Sequence, residues 1–210
     1  GTADLTIGGE LLASTGGTIE IHSTDVSVDS LTEDNGTIYV YGNDSNTVNA
    51  VNVDVATGGV SIKSGITFDD ADDANRGLIV GGTSEFSLVS QATDKDMNIF
   101  GGIKMVQSNR LSLDSGRNIQ ITGTVVPDGY LDINAVGDVD IVDDMTVAGW
   151  LDIKATGIDL ANVTNNGYVI LNSGDDINVG ILQNGTTAYE LDIDAVGDVY
   201  ATAIESHLRI

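Results

Sequence analysis

The chain has 210 residues, and 8 Lys and Arg against 32 Asp and Glu leave a net charge of −24, while hydrophobic residues make up 41% and mean hydropathy is +0.08. So negative a surface repels phosphate backbones and anionic headgroups, which sets nucleic acid and acidic membranes aside as partners; the hydrophobic share is that of a chain that folds. The lack of cysteine removes disulfides, thiolate metal sites and a cysteine nucleophile, and no apolar run approaches the roughly 18 residues of a spanning helix, so no membrane insertion is expected.

Val, Ile and Thr supply 63 of the 210 residues, alongside 26 Gly and one Pro. That is strand composition, and the pattern agrees with it: apolar and polar residues alternate in steps of two, and no stretch holds helical spacing over three turns. In chain order the first strand-like triplet is Leu5-Thr6-Ile7. Gly17-Thr18-Ile19-Glu20-Ile21 recurs as Gly36-Thr37-Ile38-Tyr39-Val40 nineteen residues on, and Gly59-Val60-Ser61-Ile62 extends the series after a further twenty-three. From Ile66 to Arg110 the register loosens, and the acidic stretch at 69–76 reads as a loop inserted at a corner.

The second half is regular. Triplets begin at Leu111, Leu131, Leu151, Val169 and Leu191, at spacings of 20, 20, 18 and 22. Each is followed by a glycine (Gly116, Gly137, Gly157, Gly174, Gly197) and by a second triplet that begins at Ile119, Val139, Ile158, Ile177 or Val199. A weaker third apolar step falls at Val125, Met145, Val163, Ile181 and Ile204. The pattern predicts one all-β domain over 1–210, a single-stranded parallel β-helix (β-solenoid) of about ten coils, each of about 20 residues and three short strands. Corner glycines are expected to supply backbone angles that side chains resist.

Leu131-Asp132-Ile133-Asn134-Ala135-Val136-Gly137-Asp138-Val139-Asp140-Ile141 and its echo at Leu191–Val199 resemble the haemagglutinin-type repeats of large bacterial filamentous adhesins. The resemblance covers about half of the chain. It implies a right-handed β-helix on the cell exterior, and it does not choose among adhesins, fibres and enzymes.

Candidate chemistry is sparse. His22 and His207 are far apart in the coil, and no Gly-x-Ser-x-Gly presents a nucleophile. Lys104, Arg110 and Arg117 with Asp114 and Asp128 are the residues that a carbohydrate-active enzyme would use. Asp69, Asp70, Asp72 and Asp73 can wrap a hard cation such as Ca²⁺, although no cofactor is required by the pattern. Asp132 and Asp152 are middle residues of adjacent coils, expected in solvent about 4.8 Å apart. Sequons occur at Asn35, Asn43, Asn162 and Asn184, and Thr122-Gly123-Thr124 is the one Thr-x-Thr of the kind that ice-binding solenoids repeat.

The chain opens at Gly1 and closes on the triplet Leu208-Arg209-Ile210 without a capping segment, so both solenoid edges are expected to be open and Leu5, Ile7, Leu208 and Ile210 to form an assembly interface. The expected function is that of a non-enzymatic extracellular structural protein, a subunit of a surface filament or matrix fibre that adds to itself head to tail. The alternative is an adhesin stalk or glycan-binding module, with glycans or divalent cations as further partners; a carbohydrate-active enzyme is the third reading.

Overall fold

The computed structural model describes residues 4–14, 18–22, 25–34, 37–41, 50–55, 60–62, 66–68, 78–80, 85–90, 93–94, 96–100, 102–105, 110–185 and 188–206. Among them there is no helix, and strands stack in parallel as a β-solenoid, with about five turns over residues 110–206. Parallel pairing follows from the repeat. Equivalent triplets run in the same direction and meet one turn later, so each inward apolar residue lands on its own equivalent.

Three ladders result. The first stacks Arg110–Ser115, Tyr130–Ala135, Trp150–Ala155, Tyr168–Ser173 and Glu190–Ala195, with Leu111, Leu131, Leu151, Val169 and Leu191 in one column. The second carries Ile119, Val139, Ile158, Ile177 and Val199. The third passes through Val125, Met145, Val163, Leu182 and Ile204. Most of these inward side chains are shut off from solvent; Leu111, Leu131, Leu151, Val169, Ile119, Val139 and Ile177 are all 0% exposed.

Two details depart from the sequence pattern. The third-ladder residue of the fourth turn is Leu182, at 1% exposure, whereas Ile181 points outward at 40%. The cause lies at Gly180: there the second and third ladders join in one strand, Ile177–Asn184, and alternation from Val179 passes over the glycine so that Leu182 turns inward.

The corner glycines also act differently from expectation. Positive φ occurs at Gly9, Gly102 and Gly123 among the described residues, not at Gly116, Gly137, Gly157, Gly174 or Gly197. Nor do these five form one column, since Ser115 pairs with Ala135 and so sets Gly116 beside Val136 and Gly137 beside Arg117. Close approach accounts for Gly137 and for two glycines at another corner, Gly149 and Gly167, whereas Gly174 meets nothing nearer than 3.7 Å. A Cβ on Gly137 would strike the Asn118 amide, one on Gly149 the carbonyl of Gly129, and one on Gly167 the carbonyl of Gly149. Gly123, at φ 110°, turns the chain between Thr122 and Thr124, so these threonines do not lie along one flat strand face.

The ladders continue into the first half over uneven chain lengths. Leu5 pairs with Val26, Val26 with Val53, Val53 with Leu88, and Leu88 with Leu113. The expected match of Ile19 with Ile38 is present. Val60–Ile62, however, joins the second ladder against Leu31, and Ile38 finds its partner at Ile66. Residues 69–76, expected to loop out, lie outside the described residues; the strands on either side, Ile66–Phe68 and Leu78–Val80, pair with each other in the third ladder.

Candidate functional site

The outer surface of the first ladder is where chemically distinctive side chains collect. Strand alternation puts three columns there, two residues apart. One runs Arg110, Tyr130, Trp150, Tyr168; the next Ser112, Asp132, Asp152, Ile170, Asp192; the last Asp114, Asn134, Lys154, Asn172, Asp194.

The aromatic column is continuous. Tyr130 and Trp150 stack at 5.8 Å between ring centroids, Trp150 and Tyr168 at 4.8 Å, and Tyr168 and Tyr189 at 5.1 Å, with interplanar angles of 29°, 23° and 9°. Such separations belong to offset stacking, so each inner ring covers part of its neighbour's face. Tyr189 ends the stack at 72% exposure and Tyr130 begins it at 49%. A groove of about 230 Å³ follows the rings, lined also by Gly129, Gly149 and Gly167.

Beside the rings lie the carboxylates. Asp132 and Asp152 are register partners, as the repeat predicts, but they are half-buried rather than fully in solvent. Asp132 is neutralised by Arg110, whose Nε and Nη2 lie 2.8 and 2.7 Å from its Oδ2. Asp152 has no such partner among the described residues. Burial, and next the charge of Asp132, push its carboxyl above its ordinary pKa, against the opposing pull of Lys154.

A buried amide network lies at the far corner. Asn165 is fully buried; its Nδ2 donates to Asn184 Oδ1 at 3.0 Å and to the Glu190 carbonyl at 2.9 Å, while its Oδ1 accepts from Gly167 N at 2.9 Å. Asn184, 4% exposed, is thus a structural side chain and no accessible glycan acceptor in the folded protein. Asn162 is occupied as well, donating to Asp144 and accepting from Ile181 N. The sequon asparagines 35 and 43 lie outside the described residues.

The remaining candidates are scattered. Arg117 bonds the Asp94 carbonyl and pairs with Asp96, Arg110 is held by Asp132, and Lys104 stands on the third ladder, so the basic trio does not converge with Asp114 and Asp128. His22 sits on the strand Thr18–His22, and His207 is outside the described residues. Leu5 and Ile7 are half-buried and pack on the core. Asp69, Asp70, Asp72, Asp73, Leu208 and Ile210 lie outside the described residues. Among the described residues no group of three or more His, Asp or Glu is placed to hold a metal ion, and no helix is long and apolar enough to cross a membrane.

Sequence reasoning missed the aromatic column, although the signal was present: Tyr130, Trp150 and Tyr168 each stand immediately before a repeat triplet. No family model, no curated protein and no solved structure matches the chain.

Proposed function

We propose that this is a non-enzymatic structural protein of the cell exterior, a subunit of a surface filament or matrix fibre in which β-solenoids stack end to end. In this reading the whole chain forms about ten coils of three short strands, in the manner of the haemagglutinin-type repeats it resembles. One observation carries the proposal. At the last described turn the inward columns lose their cover: Val199 and Ile204 are 46% and 47% exposed, whereas their partners one turn earlier, Ile177 and Leu182, are at 0% and 1%. Each coil of this fold completes its core when another is laid on it, and these exposed columns support a reading in which a second copy supplies one.

Rods carrying −24 charges repel one another until they are screened, so millimolar Ca²⁺ or high NaCl should promote association without any dedicated metal site. Electron microscopy of the purified protein tests the proposal. Long fibres of uniform width are expected, more abundant with added salt. Isolated short rods under every condition would sink the filament reading and favour an adhesin stalk or glycan-binding module.

A further inference from the structure

We propose that the stacked column of Tyr130, Trp150, Tyr168 and Tyr189 carries one-electron oxidation along the side of the rod, and that Tyr189 is where an oxidised chain couples to a second copy through a dityrosine bond. The inference is independent of end-to-end stacking, because it uses the outer surface of the rod and not its exposed core columns.

An electron passes between two aromatic rings at a rate that falls steeply with the gap between them, so a continuous stack is the geometry that favours it. Every step here is short, with centroids 5.8, 4.8 and 5.1 Å apart along the column. The shortest step leads from Trp150 to Tyr168, and the most nearly parallel pair, at 9°, is Tyr168 and Tyr189. Exposure gives the path a direction. Trp150 and Tyr168 are half-buried, whereas Tyr189 is 72% exposed. A phenol yields an electron readily only as it yields its proton, and Tyr189, the ring of the column most open to water, is the best placed to release one.

The steps balance. A one-electron oxidant, such as a photosensitiser or the oxidised haem of a peroxidase, takes an electron from Trp150, and the indole N–H releases its proton to water. Tyr168 returns an electron to the indole and loses its phenolic proton as the indole regains one; Tyr189 then restores Tyr168 in the same way. The radical left on Tyr189 meets its counterpart on a second chain. A carbon–carbon bond forms between the ring carbons beside the two hydroxyl-bearing carbons; each bonded carbon gives up its hydrogen as a proton, and each oxygen regains one. For each cross-link two electrons have gone to the oxidant and two protons to water. Tyr200 is the internal comparison. It is 53% exposed, stands outside the column and donates its hydroxyl to Asp198 at 2.8 Å, an acceptor that eases its own oxidation by a diffusing radical. A preference for Tyr189 over Tyr200 must therefore come from the rings behind Tyr189.

Trp150 is the single tryptophan of the chain, so an oxidant that selects indole starts the radical at one place. The experiment exposes the intact protein to azidyl radicals by pulse radiolysis, follows the tryptophanyl and tyrosyl absorptions, and maps dityrosine by mass spectrometry of peptides. High NaCl screens the −24 charges so that chains can meet. Tyr168→Phe keeps a stacked ring that does not take up the radical, and Tyr200→Phe removes the comparison phenol; circular dichroism checks that both variants keep the fold. In the wild type the Trp150 radical is expected to decay into a tyrosyl radical at a rate independent of protein concentration, and the cross-link between two Tyr189 residues to predominate. Y168F should lose most of that cross-link, the shorter path then being the one to Tyr130, and Y200F should keep it. A transfer rate that rises with protein concentration, cross-links spread over the tyrosines without preference for Tyr189, or a Tyr189 cross-link undiminished in Y168F would overturn the proposal.

Discussion

Residues 110–206 and residues 4–105 feed the same ladders, but they spend different lengths of chain on each turn. In the first of these regions the first-ladder column advances by 18 to 22 residues: Leu111, Leu131, Leu151, Val169, Leu191. In the other, the step from Val26 to Val53 takes 27 residues and the step from Val53 to Leu88 takes 35. The difference shows what the fold requires. Stacking fixes the position of inward apolar residues on the ladder and leaves the corners free to absorb insertions, because doubling a connection costs only about 0.6 kcal/mol in closure entropy. Some corners of the regular half, at Gly149 and Gly167, come closer than any side chain would allow.

The sharpest way to test that comparison is to truncate one inward first-ladder leucine in each region. Leu151 is 0% exposed and lies between Leu131 and Val169 in the column. Leu151→Ala should cost roughly 2 to 5 kcal/mol of stability in denaturant titration, as buried leucine truncations do. Leu5 is half-buried on a strand paired, among the described residues, with Asp25–Asp34. Leu5→Ala should therefore cost clearly less. Equal losses would mean that a first-ladder leucine covered from one side is worth as much as one packed between two turns.

How far the sequence could be read follows the same divide. The columns of 110–206 were legible because period-two alternation and a near-constant repeat select one register, and a one-residue slip would turn every apolar side chain outward. Where two apolar residues are adjacent, as at Ile181-Leu182, alternation alone cannot decide, and Gly180 settled it in favour of Leu182. The pairing of Val60 with Leu31 was not legible, since the insertions that displace it carry no pattern of their own. At the candidate site the facing of Asp132 and Asp152 could be read directly from the repeat. The hold of Arg110 on Asp132 could not, because it depends on how a long side chain crosses between turns.

The corners offer a second, smaller break. At Gly149 an added methyl group would collide with the backbone carbonyl of Gly129, which no side-chain rotation can relieve. Gly149→Ala should thus destabilise the protein by about 1 to 3 kcal/mol, the usual range for an overpacked site. Gly8, with nothing within 4 Å of the equivalent point, should accept the same change with little loss. If thermal melting ranked the two substitutions the other way, close approach of turns would not be what keeps glycine at these corners.

The smallest expected effect concerns charge in the regular half. Asp152 is held above its ordinary pKa mainly by partial burial and secondly by Asp132, so the folded protein binds this proton more tightly than the unfolded chain does. Stability contributed by the protonated carboxyl is present at low pH and is lost as pH rises from the ordinary value, 3.8, through the higher folded value. Asparagine mimics the protonated form and does not ionise. Asp152→Asn should accordingly melt with the wild type well below that window, then rise above it as pH increases, and keep a modest advantage at neutral pH. Lys154 works against the gain, since it loses an attractive neighbour, and the half-exposed setting screens both interactions. Melting curves collected across this range decide the matter: a variant less stable than wild type at neutral pH would show that the pull of Lys154 outweighs burial and the repulsion from Asp132, and that the carboxylate column strengthens the coil rather than straining it.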